Sequence, residues 1–385
     1  MKIRTIEGIL RKFAKQYPIV TITGPRQSGK TTISKTLFPE KDYVTLENLD
    51  VREFAKSDPK GFLRQYRNGA VFDEFQKSPE LASYLQTEVD SDSTPGRFIL
   101  TGSGQFELME SVSQSLAGRT AILRLLPFSL TEAYGHGMFP DLNTTLYTGF
   151  YPRIFDKNLH PTDMYSFYTD TYLEKDVRNL LNVKDLSRFE IFLKLCAGRS
   201  GQELNLNQLG NDCGVTHNTI KSWITVLEAS FIIKLVQPYY KNIGKRLTKT
   251  PKLYFLDTGL LCFLLGIKEP VHLAAHPLRG SIFETFVVSE IIKSRFNSAR
   301  NHDLYFLRDS KGHEVDLVLD GGAKISLLEI KSSQTIASDF FRNLHYFQKI
   351  ISDVQHCYCV YGGVESRVQS DTRIVPWVDA GTLQY

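Results

Sequence analysis

Gly24-Pro25-Arg26-Gln27-Ser28-Gly29-Lys30-Thr31 is the stretch that decides how this chain folds. It has the spacing G-x-x-x-x-G-K-[ST], which lets backbone N–H groups of a loop and of the helix after it point at phosphate oxygens. In this pattern Gly24, Pro25, Arg26, Gln27, Ser28 and Gly29 form the cradle and Lys30 reaches the β and γ phosphates. Thr31, followed by Thr32 at the start of the helix, offers a hydroxyl to Mg²⁺, a hard cation that takes oxygen ligands. The flanks fit. Pro18-Ile19-Val20-Thr21-Ile22-Thr23 is a short β-branched run of the kind that forms a buried strand, and Thr31 to Leu37 reads as a helix stopped by Pro39.

A second strand, Ala70-Val71-Phe72, ends in Asp73-Glu74. Acids at the carboxyl end of an apolar strand stand where α/β sheets bind ligands, so Asp73 is expected to hold Mg²⁺ and Glu74 to orient the attacking water. The pair favours hydrolysis of a nucleoside triphosphate over transfer to a substrate hydroxyl. A third strand, Arg97-Phe98-Ile99-Leu100, leads into Thr101-Gly102-Ser103, where Thr101 and Ser103 are placed to sense the γ-phosphate. Leu116-Ala117-Gly118-Arg119 offers Arg119 as an arginine finger, a planar cation for the charge of the transferring phosphoryl group.

With 385 residues, the chain exceeds one typical core and calls for two or three domains. No apolar run approaches the ~20 residues of a membrane span, and Met1 to Glu7 lacks the apolar centre of a signal peptide. A cytoplasmic protein with no membrane partner is expected. The five cysteines are odd in number and scattered, which argues against a disulfide framework or a zinc site. Net charge is only +4, so a nucleic-acid surface has to be a local patch. Motif succession sets the boundaries at 1–160 for the ATPase, 161–268 for a helical region and 269–385 for a last domain, with a helix over Met164 to Leu181 and a linker between Pro270 and Pro277.

Between Leu204 and Phe231 the pattern becomes two short amphipathic helices around Gly214-Val215, with Thr216 as N-cap of the second. Ile220, Trp223, Ile224 and Leu227 recur at helical spacing and predict its buried face. His217, Asn218, Lys221 and Ser222 lie opposite, where a recognition helix faces a major groove. From Ala229 to Leu256 there is no acid while Lys234, Lys241, Lys245, Arg246, Lys249 and Lys252 accumulate, predicting a basic wing with Tyr239 and Tyr240 free to stack on bases. DNA is the expected partner.

The last hundred residues carry a second constellation. Asp316 lies on the strand Glu314 to Leu319, the turn Asp320-Gly321-Gly322 follows, and the return strand Lys324 to Lys331 puts Glu329 and Lys331 on one face. Glu284, on a helix over Ser281 to Lys293, supplies a third acid. Glu284, Asp316 and Glu329 would ligate Mg²⁺ or Mn²⁺, and Lys331 would position or deprotonate the hydrolytic water, a site that cuts phosphodiesters.

Taken together, Gly24 to Thr32, Val71 to Lys77, Leu100 to Ser103, Leu116 to Arg119, Tyr172 to Val177 and the Glu284 to Lys331 cluster resemble a known group. It comprises prokaryotic ATP-binding proteins with an N-terminal AAA-superfamily ATPase domain and a C-terminal domain of unknown function related to PD-(D/E)XK, restriction-endonuclease-like nucleases. The resemblance implies an α/β chain: an AAA-type P-loop domain with a parallel sheet, a middle helical winged-helix module and a restriction-endonuclease-like α/β domain, self-associating through the ATPase domain. Glu314-Val315-Asp316 stands where the usual nuclease motif has Pro-Asp. Two functions fit: an ATPase that remodels or cuts DNA in repair, recombination or defence, and a nucleotide-dependent switch that binds DNA or a partner protein and cuts nothing.

Overall fold

The computed structural model describes residues 2–103, 114–172, 186–239 and 250–383. They divide into two compact units, the first 1–128 with 229–231 and 295–300, the second the remainder.

The first unit is built on five parallel strands: β1 (Ile19–Thr23), β2 (Asp42–Thr45), β3 (Ala70–Asp73), β4 (Phe98–Gly102) and β5 (Thr120–Arg124), in the order β2-β3-β4-β1-β5. All residues of β1, β3 and β4 are buried, as central strands of a sheet covered on both faces must be. Because strand side chains alternate, one run feeds two cores. Phe72, Phe98 and Leu100 pack with Leu46, Phe62 and Leu85 on one face. Val71 and Ile99, in register between them, pack on the other with Val20, Ile22, Ile6, Leu10, Ile33 and Leu37. The parallel register puts the carboxyl ends of β1, β3 and β4 on one edge. Gly24, Asp73 and Ser103 all leave from that edge.

The second unit contains a mixed sheet. Its strands are β6 (Gln202–Glu203), β7 (Ile233–Pro238), β8 (Lys252–Phe255), β9 (Leu304–Arg308), β10 (Glu314–Asp320), β11 (Ile325–Lys331), β12 (Val354–Tyr361), β13 (Arg367–Gln369) and β14 (Thr372–Pro376). They pair in the order β13-β14-β12-β11-β10-β9-β7-β8-β6. The join across residue 269 is β7 lying parallel to β9, with Gln237 beside Tyr305 and Pro238 beside Phe306. β8 therefore belongs to the same sheet as β10 and β11. The helix Arg279–Asn297, longer at both ends than the sequence pattern indicates, buries Ile282, Phe283, Phe286, Val287 and Ile291 as expected. The expected linker holds a short 3₁₀ helix, Pro270–Ala275, anchored by buried Leu273. The helix expected from Met164 spans Pro161–Tyr172, and the residues following it, including Leu173 to Val177, lie outside the described residues.

Candidate functional site

The phosphate cradle is assembled by the backbone. Gly24 leaves β1 at φ 155°, and a Cβ on it would stand 2.1 Å from the Leu125 carbonyl oxygen, so only glycine lets the loop pass the end of β5. Gly29, at φ 95°, then turns the chain into the helix Lys30–Leu37, whose first N–H groups have no partner within the helix. Lys30 is buried and its ammonium donates to the Gly24 and Pro25 carbonyls at 2.9 and 2.7 Å. Ser28 Oγ is buried and has no hydrogen-bond partner among the described residues. An orphaned donor in a ring of N–H groups fits a phosphate oxygen. Pro25 is buried, Arg26 half-buried, and Gln27 and Thr32 exposed around it.

Asp73 is the hub beside the cradle. Its Oδ2 accepts from Thr31 Oγ1 at 3.0 Å and from the Tyr43 hydroxyl, and its Oδ1 accepts from the Thr101 hydroxyl. The hydroxyl and the carboxylate assigned to Mg²⁺ thus sit side by side, an oxygen-only donor pair that suits a hard cation. Glu74, the next residue, adopts a left-handed backbone at φ 54°, a conformation costing roughly 1–3 kcal/mol for a non-glycine residue and typical of functional sites. Its Oε2 accepts from Ser103 Oγ at 3.2 Å and from the Gln76 amide, which also reaches Ser103 Oγ at 3.4 Å. Thr101 and Ser103 therefore do meet the acids, one each.

Two members of this network escape the sequence reading. Tyr43 sits on β2, a strand with no apolar run to announce it, and reaches across to the adjacent β3; burial and the Asp73 carboxylate push its phenol pKa up. Gln76 lies two residues past Glu74 and is visible in the sequence only as part of the Val71 to Lys77 motif.

Arg119 is not brought to this site. It precedes β5 at the amino end of the sheet, where its carbonyl accepts from Ile19 N, while the P-loop follows the opposite end of β1, roughly 13 Å of strand away. Its guanidinium pairs with Asp90 at 2.6 and 2.9 Å. An arginine finger acting within one chain is ruled out by that geometry.

In the second unit the helices Leu206–Cys213 and His217–Ala229 are joined through Gly214 in the left-handed conformation, and Thr216 Oγ1 caps the second by accepting from Thr219 N at 3.2 Å. Ile220, Trp223, Ile224 and Leu227 are buried, and His217, Asn218, Lys221 and Ser222 are exposed. The basic wing needs correction. Lys234 pairs with Glu228, Lys252 is buried among carboxylates, and the Tyr239 ring packs against Tyr305, so none of the three is a free surface group as the wing requires. Tyr240, Lys241, Lys245, Arg246 and Lys249 lie outside the described residues.

Of the expected cluster, Asp316, Glu329 and Lys331 come together, while the Glu284 carboxylate is held by Lys252 and Tyr254. One step beyond the pair Leu317–Leu328, Asp316 on β10 stands opposite Glu329 on β11, and its Oδ2 accepts from Ile330 N at 2.7 Å. Lys331 Nζ donates to Glu329 Oε1 at 2.5 Å and lies 4.0 Å from Asp316 Oδ2. Glu329 Oε2 is buried without a partner among the described residues. Burial and the neighbouring Asp316 raise the Glu329 pKa to about 8, and burial raises that of Glu284 to about 7 against the pull of Lys252. Burial opposes the charge of Lys331, but Asp316 and Glu329 outweigh it and hold the ammonium protonated.

What the sequence does not reveal is the cation inside the cluster. Lys252, from β8, reaches Glu314 Oε1 at 2.5 Å and Glu284 Oε1 at 3.5 Å, and Tyr254 OH donates to the same Glu284 oxygen at 2.5 Å. Glu314 reads as strand only. Lys252 counts with the wing in the sequence because charge tallies along a chain carry no information about which sheet a residue joins. Among the described residues, no three His, Cys, Asp or Glu side chains stand together in metal-ligand geometry.

The glycine cradle, the Thr31–Asp73 pair and the adjoining Glu74 on a parallel sheet define a P-loop ATPase unit. Comparison with known proteins agrees: residues 16–134 match the AAA domain family, 139–271 a domain of unknown function (DUF8612) and 279–379 a domain of unknown function (DUF4143). The chain thus carries an N-terminal AAA ATPase domain followed by two regions whose families have no assigned function. It is 28% identical over 330 residues to the uncharacterized protein Rv2008c of Mycobacterium tuberculosis, covering 85% of this chain and 73% of that one, and equally to Mb2031c of Mycobacterium bovis. Among solved structures it is similar to the Walker-type ATPase paby2304 of Pyrococcus abyssi (13% identity, 67% of this chain, 94% of that one, TM-score 0.47). A looser likeness is to AMPPCP-bound DnaA of Aquifex aeolicus (13%, 58% and 86%, TM-score 0.29). Among the described residues no helix is long and apolar enough to cross a membrane.

Proposed function

We propose that the protein is a Mg²⁺-dependent ATPase whose nucleotide state drives an action on DNA carried out by the rest of the chain. The observation that carries the first half is the Asp73 hub: one carboxylate holds the P-loop hydroxyl Thr31 and the β4 hydroxyl Thr101, with Glu74 beside it. In this reading Thr31 and Asp73 would hold the metal, whose charge would offset that of the phosphates. Lys30 leaves its two carbonyls for the phosphate oxygens. Glu74, released by Gln76, orients the water. Arg119, remote from its own P-loop, serves only if it leaves Asp90 for the nucleotide of a neighbouring copy, which is how self-association through this domain enters the proposal.

The DNA half is supported by the exposed polar face of the His217–Ala229 helix and by Asp316, Glu329 and Lys331 converging on one hairpin, the acid and lysine types that a metal-dependent nuclease would use. One observation favours the rival, non-cutting switch. Lys252 holds an ammonium between Glu284 and Glu314, where a divalent ion drawing on Glu284 would bring its charge. Incubating branched, linear and single-stranded DNA with the protein, ATP and Mg²⁺ or Mn²⁺ separates the two. Cleavage that fails in Asp316→Ala supports the nuclease reading. Unwinding of intact DNA supports remodelling, binding with neither cleavage nor unwinding supports the switch, and no interaction with any form sinks the DNA half.

A further inference from the structure

Arg4 lies outside the matched AAA region, yet its side chain ends against the P-loop. Its segment is fixed by Ile6 and Leu10, which pack with Val20, Ile22 and Ile33 beneath the loop. The guanidinium is buried. Its Nη1 donates to the Ser28 carbonyl at 2.8 Å, its Nη2 to the Leu126 carbonyl at 2.7 Å, and its Cζ lies 4.8 Å from the centre of the Phe128 ring. It ties the middle of the cradle to the chain just past β5.

The consequence follows from peptide geometry. In a planar trans peptide the C=O of one residue and the N–H of the next point in opposite directions. Pinning the Ser28 oxygen on the Arg4 side therefore aims the Gly29 N–H away from Arg4, toward the open side of the loop. At φ 95° Gly29 has no Cβ to set this orientation, and the same freedom lets the peptide rotate if nothing holds it. We infer that Arg4 is a positioning residue for ATP binding: it fixes the Ser28–Gly29 peptide so that its N–H is preset to a phosphate oxygen. A charged donor polarises the peptide it binds, which strengthens the N–H it leaves facing the ligand. The inference rests on the nucleotide reading of the P-loop.

The test compares ligands with and without phosphates. Arg4→Met is expected to weaken ADP and raise the KM for ATP about tenfold, the ~1.4 kcal/mol of one well-made hydrogen bond to a charged ligand. The kcat should stay within about twofold, because the bond is made before and during reaction alike. Adenosine, measured as a competitive inhibitor, should bind as it does to the wild type. Arg4→Lys keeps the charge but reaches one carbonyl, so its ADP affinity should fall between the two. Unchanged ADP affinity in Arg4→Met overturns the inference, as does an equal loss for adenosine and ADP, which would make Arg4 a residue of general folding. Should Arg4→Met fail to fold, Arg4→Lys decides: an ADP affinity equal to wild type in a folded protein overturns it. Lys30→Ala is the control. If ADP binds that variant normally, the nucleotide reading itself fails.

Discussion

The phosphate cradle places its lysine and hydroxyls within eight consecutive residues, Gly24 to Thr31, whereas the acidic cluster gathers Lys252, Glu284, Glu314, Asp316, Glu329 and Lys331 from β8, a helix, β10 and β11. The first binds an anion with backbone groups whose direction is set by local dihedrals. The second concentrates negative charge by burying side chains that strand pairing brings together, and it holds them with two ammonium groups. A site made of backbone tolerates changes in its side chains better than one made of charges. The cluster should therefore respond to pH and to charge substitution in ways the cradle does not.

The widest break in this comparison is expected at Lys30. Lys30→Ala removes the only side-chain cation of Gly24 to Thr31 that the motif directs at the β and γ phosphates, and should lower ATP turnover on the order of 100-fold. Glu74→Gln should match that loss in turnover while still binding ATP, read by nucleotide titration beside a phosphate-release assay. Wild-type turnover in both variants would remove the ATPase assignment.

Lys252 gives the next effect. Truncating one partner of a buried ion pair leaves charge without compensation, so Lys252→Met should cost about 3 kcal/mol in urea unfolding of the second unit. Adding Glu284→Gln should return part of that, as coupled neighbours do. If the two losses simply add, Lys252 and Glu284 are not coupled and the ammonium is not what balances the acid.

A smaller effect sharpens the contrast through pH. Glu329 has a folded pKa of about 8 against an ordinary 4.5, so the folded state keeps a proton that the unfolded chain releases. Its contribution is fully present below pH 4.5 and is lost as pH rises toward 8. Glu329→Gln should match the wild type near pH 5 and exceed it at pH 8.5 by on the order of 1–3 kcal/mol, measured as the difference in denaturant unfolding. A difference independent of pH would mean that Glu329 is ionised throughout. The smallest change concerns DNA: replacing Lys245 and Arg246 by Glu should reduce the slope of log affinity against log salt by about one for each phosphate the protein no longer neutralises. An unaltered slope places the DNA-binding cations elsewhere.

Much of the ATPase unit is legible in the sequence because its signals are contiguous. Ile19 to Thr31 spells strand, glycine loop and helix, and Ala70 to Glu74 spells an apolar strand ending in acids. The cluster's acids are legible too, since a hairpin turn at Gly321-Gly322 fixes which residues of β10 and β11 face each other. The wing misleads because six cations without acids look like a surface until a sheet claims two of them, Lys234 on β7 and Lys252 on β8.

By itself, then, the sequence determined the P-loop, the strands that carry Asp73 and Thr101, and the hairpin of Asp316 and Glu329, all of them short-range patterns in which spacing dictates direction. Only the tertiary structure decided that Arg4 and Tyr43 serve the cradle, that Arg119 points to the far edge of the sheet, and that Lys252 lies inside the cluster. These depend on which strands become neighbours and on which side of a peptide a distant side chain lands. Such choices are made by burial of the whole sheet and leave no period in the chain.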